Sequence, residues 1–119
     1  MPEIDKQNWQ SMMEIVQSFH EKHQFNKNGG EDMVYRVALM AEELGEISEA
    51  VTKGKSKEEL AEECADLLIL LMGNAIAAEF DLNEAFWLKM EKILKRESRM
   101  VDGRIRVSGA FSTGQNPDA

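Results

Sequence analysis

An all-α bundle of four helices, completed by oligomerisation, is the expected fold of this 119-residue chain. Its two prolines, Pro2 and Pro117, stand at the ends, so no fixed φ or missing N–H interrupts a helix between them. Apolar residues recur at spacings of three and four. Two capping boxes, Ser56-Lys57-Glu58-Glu59 and Asp81-Leu82-Asn83-Glu84, mark helix starts.

The first helix is read over residues 5–23, with Trp9, Met12, Met13, Val16, Phe19, His20 and His23 at helical spacing. Asn26-Lys27-Asn28-Gly29-Gly30 breaks it. The second covers residues 31–52. Val34, Val37, Ala41, Leu44 and Val51 form an apolar stripe, interrupted by Ser48. Glu31 and Asp32 suit the positive end of its dipole, and Lys53-Gly54-Lys55 suits its end. The third opens on the Ser56 box and reaches about residue 79. Residues 67–72 are apolar on every side, more than one short chain can cover, so a subunit interface is expected. The fourth follows the Asp81 box and fades near Arg99, with Ala85, Leu88, Ile93 and Leu94 among its inward candidates. Residues 101–107 read as a short extended segment. Residues 1–107 make one domain, and residues 108–119, rich in small turn-forming types, read as a flexible tail. Short links favour antiparallel neighbours.

Composition excludes several function classes. A net charge of −8 argues against binding a nucleic-acid polymer, which needs a basic footprint. No apolar run is long enough to span a membrane, and no signal peptide is read. The single cysteine, Cys64, forbids an intrachain disulfide and reads as a buried small apolar residue; a cytoplasmic setting is expected.

The chemistry gathers on the second and third helices. One carries Glu42-Glu43-Leu44-Gly45-Glu46, the other Glu62-Glu63-Cys64-Ala65-Asp66. Glu43 and Glu46 share a face with Leu39, Met40, Ile47 and Ala50; Glu63 and Asp66 share one with Leu70, Gly73 and Ala77. Carboxylates in line with buried positions repel one another and are poorly solvated. No lysine or arginine occupies the neighbouring turns of these faces. A hard divalent cation is the natural partner, and Mg²⁺ or Mn²⁺ fits an all-carboxylate shell. Glu-x-x-His pairs, the mark of di-iron bundles, do not occur, and the two histidines lie outside these helices. Glu42, Glu49, Glu58, Glu59 and Glu62 include several ordinary solvated acids.

At Glu43-Leu44-Gly45-Glu46 and Glu63-Cys64-Ala65-Asp66 the sequence resembles the MazG-like all-α nucleoside triphosphate pyrophosphohydrolases, whose hallmark is E-x-x-E on one helix and E-x-x-D on the next. The similarity covers roughly residues 35–100. It implies a four-helix MazG-like module that assembles as a dimer or tetramer. It implies Mg²⁺-dependent cleavage of a nucleoside triphosphate between the α- and β-phosphates. Glu43, Glu46, Glu63 and Asp66 match the family's metal ligands. Glu46, Glu42 or Glu43 is the candidate acceptor for the proton of the attacking water.

Substrate contacts are expected from Lys89, Lys92, Lys95, Arg96 and Arg99, part of a basic cluster that continues to Arg104 and Arg106. The family often places an asparagine four residues after the lysine. Here Lys89 is followed by Ile93, which leaves Lys92, Lys95, Arg96 and Arg99 as candidates for that contact. Base recognition is assigned to the first helix and its loop, with Trp9, Phe19, His23 and Asn26 as candidates. Rival readings are a pyrophosphohydrolase confined to phosphoribosyl-ATP, dUTP or dCTP, a nucleotide sensor without turnover, and a non-catalytic helical module that binds a protein partner.

Overall fold

The computed structural model describes residues 8–108, in the order α1 (Trp9–Lys22), α2 (Met33–Thr52), α3 (Lys57–Ala77), α4 (Leu82–Ile93), β1 (Glu97–Val101) and β2 (Arg104–Ser108). The four helices bear out the all-α expectation. The chain divides into two compact units between Phe80 and Asp81. The expected opening of the first helix at Asp5 lies outside the described residues. So do residues 109–119 of the expected tail, whose first residue, Ser108, closes β2.

The helix starts follow local chemistry. Asn8, Asp32, Ser56 and Asp81 are extended N-cap residues whose side chains accept from the backbone N–H of Gln10, Val34, Glu59 and Glu84. The ends of the first three helices share another device. Gln24, Gly54 and Glu79 take positive φ, and the next residue's N–H bonds back to the helix: Phe25 to His20, Lys55 to Ala50 and Phe80 to Ala75. Only Gly54 advertises that stop in the sequence.

In the first unit α1 and α2 both pack on α3. The packed line of α2 is Met33, Arg36, Met40, Glu43, Ile47 and Ala50, at spacings of three and four. The stripe of Val34, Val37, Leu44 and Val51 is exposed instead, at 80%, 58%, 59% and 62%. The core proper comprises Val16, Ala50, Met72 and Ala75, with the polar side chains of His20, Arg36 and Asn74 buried among these elements. Burial, then the charge of Arg36, holds His20 below the usual histidine pKa.

The second unit corrects the reading of the fourth helix. α4 closes at Ile93, not near Arg99, through turns from Lys95 to Lys92 and Arg96 to Ile93. The chain then forms an antiparallel hairpin with Val101 opposite Arg104 and Glu97 opposite Ser108. Asp102 and Gly103, both at positive φ, make the two-residue turn that suits the twist of such strands. The extended segment expected at 101–107 is thus a hairpin that starts earlier. Its register sets Arg99 opposite Arg106 on one face and Met100 opposite Ile105 on the other.

The Ser56 cap is a test of this assignment. Ser56→Ala strands the Glu59 N–H and should cost about 1 kcal/mol. Urea unfolding should show a lower midpoint with an unchanged slope.

Candidate metal centre

The link of residues 53–56 turns α3 back along α2. Arg36, near the start of α2, bonds to Leu70 and Asn74 late in α3, while Glu43 meets Glu63 and Asp66 earlier in α3. The two helices therefore run antiparallel. This places the acidic motifs of both helices at the same level of the unit.

Glu43, Glu63 and Asp66 each present a carboxylate oxygen, and the three oxygens lie within 4.8 Å of one another. Glu46 and Glu42 are exposed and stand outside that trio. Their charges still reach it: Glu46 raises the pKa of both Glu43 and Glu63, and Glu42 that of Glu43. Desolvation is the largest cause of the upward shift at Glu43, followed by Asp66 and Glu63. At Glu63 desolvation again leads, followed by Asp66 and Glu46. Both shifts mark a place where negative charge is held against its own repulsion.

One basic residue outside these helices acts on the site: Lys55, from the α2–α3 link, lowers the pKa of Glu63, though this is the smallest contribution there. Lys55 also lies 3.9 Å from Glu49, whose main partner is Lys53 at 2.8 Å. Glu49 is thus engaged in an ion pair on the surface. Cys64 is exposed rather than buried, since its position faces away from the α2 contact.

A cavity of about 490 Å³ opens beside the carboxylates. Glu43 and Asp66 form part of its wall, and Ile15 and Phe19 from α1, Leu39 from α2 and Ile69 from α3 supply apolar surface. Of the base-recognition candidates, Phe19 is in this wall. His23 is the C-cap of α1, its ring 5.1 Å from that of Phe19, and Asn26 is exposed in the following loop. Neither of these two is in the wall. Lys89 and Lys92 lie on α4, Lys95 and Arg96 in the turn after it, and Arg99 in β1. All five belong to the second compact unit.

Fold and site together define a helical protein with an oxygen-only, cation-competent carboxylate centre. Residues 35–101 match the family described as the MazG nucleotide pyrophosphohydrolase domain. The chain belongs to this family, which supports a nucleotide pyrophosphohydrolase activity and places the protein among hydrolases. Neither a curated protein nor a solved structure matches the chain.

The raised pKa of Glu43 has a consequence for stability. Its folded value lies above its unfolded value, so the folded state binds the proton more tightly. The destabilisation is full above the folded pKa and fades as pH falls towards the ordinary carboxylate range. Glu43→Gln should therefore be more stable than wild type near pH 7 in EDTA, and the difference should shrink towards zero on acidification. Buried His20 destabilises both proteins alike in acid and cancels in the comparison. Urea unfolding of the pair across pH 4.5–7.5 measures it.

Proposed function

We propose that the protein hydrolyses a nucleoside triphosphate between its α- and β-phosphates, using Mg²⁺ or, in its place, Mn²⁺. The observation that supports this best is the meeting of Glu43, Glu63 and Asp66 across two antiparallel helices of a MazG-family chain. The trio fits a hard cation because every donor is a carboxylate oxygen and no histidine or cysteine joins it. When bound, such an ion orients the phosphates and offsets charge that develops on the leaving pyrophosphate.

The remaining work falls to the chain's own groups. Glu43, Glu63 and Asp66 hold the ion. Glu46 has two proposed uses, as a fourth ligand or as the acceptor of the water proton. Its place outside the trio favours the second, with Glu42 as the neighbouring alternative. As that proton leaves, the water oxygen bonds to phosphorus and the bridging P–O bond breaks. Monophosphate and pyrophosphate result, with one water consumed.

The apolar cavity beside Glu43 and Asp66 is the proposed seat of the nucleoside, with Phe19 as its aromatic surface. His23 and Asn26 are proposed for its outer edge. Lys89, Lys92, Lys95, Arg96 and Arg99 are proposed for phosphate contacts, on their charge. A homo-oligomer, dimer or tetramer, is proposed from the exposure of Val34, Val37, Leu44 and Val51 on α2 and of Leu68, Ile69 and Leu71 on α3. No helix among the described residues is long and apolar enough to cross a membrane. A cytoplasmic setting is part of the proposal.

Phosphorus NMR of the protein with Mg²⁺ and a panel of NTPs and dNTPs tests the reaction. Pyrophosphate and a monophosphate are expected; orthophosphate and a diphosphate would assign the wrong bond. Asp66→Asn should abolish most turnover yet leave the metal-free fold intact or stabilised, because it relieves repulsion. Glu46→Gln should lower kcat by about 10²–10⁴-fold. Retained Mn²⁺ affinity in that variant identifies a proton acceptor; lost affinity identifies a ligand.

A further inference from the structure

The packed face of α2 carries one charge that the carboxylate chemistry leaves unused. Arg36 is 1% exposed. A buried guanidinium is strongly unfavourable unless its donors find acceptors. Here Nε donates to Asn74 Oδ1 at 2.8 Å, Nη1 to the Gly30 carbonyl at 3.0 Å and Nη2 to the Leu70 carbonyl at 2.8 Å. The bonds tie α2 to α3 twice and to the α1–α2 loop once. Asn74 Nδ2 continues the network to Met40 Sδ at 3.1 Å, one turn before Glu43. Gly73 makes room for it: a Cβ there would collide with Arg36 Nη2 and stand 2.7 Å from His20 Nε2.

We propose that Arg36 is a positioning residue for the metal centre: its three buried bonds fix the axial register of α2 on α3 and so hold Glu43 level with Glu63 and Asp66. The inference rests on the carboxylate trio being a cation site. Two steps along the helices carry it. From Arg36 to Glu43 is seven residues, about 10 Å along α2. From Leu70 back to Glu63 is seven residues on α3, and from Asn74 back to Asp66 is eight. Anchor and trio thus sit at matching heights two turns apart. Apolar side chains alone specify register loosely, because rows at three- and four-residue spacing re-nest after a slide. A guanidinium with three directional bonds is satisfied in one register only. The demand downstream is strict, since Mg²⁺ requires near-ideal octahedral geometry and a site must be held to within about 0.5 Å.

The test is Mn²⁺ binding, followed by electron paramagnetic resonance on the full chain, with helicity checked by circular dichroism. Arg36→Met removes the anchor. Gly73→Ala keeps Arg36 but displaces its guanidinium, while favouring the helix intrinsically. Arg36→Lys retains the charge and loses the fork. Met72→Ala, a core truncation outside the site, is the control for lost stability alone. The first two variants should stay helical and lose about 10–100-fold in Mn²⁺ affinity, the range seen when groups that orient ligands are removed. Arg36→Lys should fall between them and wild type, and Met72→Ala should bind within about twofold of wild type despite an earlier urea midpoint. If Arg36→Met does not fold, Gly73→Ala and Arg36→Lys decide the matter. Wild-type affinity in all the anchor variants, or equal losses in Met72→Ala, would overturn the positioning role while leaving the metal centre in place. Failure of the wild type itself to bind Mn²⁺ would remove the metal centre and this inference with it.

Discussion

Three carboxylates held within reach of one another repel, and the packing of α2 on α3 has to bear that repulsion. Desolvation, then the nearby Asp66 carboxylate, shifts Glu43 and Glu63 upward, so these two glutamates resist ionisation. Apolar burial around it is modest: the fully buried side chains of the unit are few, and Arg36 and Met72 are the largest. The helix pair therefore needs directional bonds as well as apolar contact. Those bonds lie at the opposite end of the helix pair from the link, where Arg36, Asn74, Leu70 and Gly30 meet.

The two clusters are electrostatically opposite and structurally complementary. One is an arginine whose three nitrogens each donate to an amide or carbonyl oxygen, with Glu31 acting on it through its field. The other is a set of acids lacking such donors. In the proposed function a cation from solution would complete the second cluster, whereas the first draws its partners from within the chain. That asymmetry fits a division of labour between a fixed anchor and a site whose charge balance is left for a ligand to make.

How far the sequence foretold this depends on which signals are local. Ser56, Asp81 and Asp32 cap helices by bonds spanning two or three residues, so their pattern is readable in a line of text. Gln24 and Glu79 end helices in a left-handed conformation more usual for glycine, which composition does not reveal. The stretch after Ile93 is rich in helix-favouring Lys, Arg and Glu, yet strand pairing across Asp102-Gly103 wins. That dipeptide was the available signal. The acidic motifs were legible because helical spacing alone puts Glu63 and Asp66 on one face. Their selection was not: a three-residue step leaves Glu43 and Glu46 about 60° apart, and packing turns only Glu43 into the trio. Arg36 was illegible as a buried group, since arginine is ordinarily a surface residue. Its place in the line from Met33 to Met40 was the only hint.

The same helix poses the last question of packing. α2 has two apolar lines, one through Met33, Met40 and Ile47, the other through Val34, Val37, Leu44 and Val51. A helix of 20 residues with two such lines has more apolar surface than α3 alone can cover. The chain resolves the conflict by placing the line with Arg36 and Glu43 inward, because polar groups that cross-link or bind need a fixed partner. The purely aliphatic line is left outside, where its requirement is non-directional and any complementary apolar face suffices. A second copy of the chain offers such a face by symmetry. The choice of inner line is thus made by polar specificity rather than by hydrophobicity, and the proposed oligomer is the place for what remains.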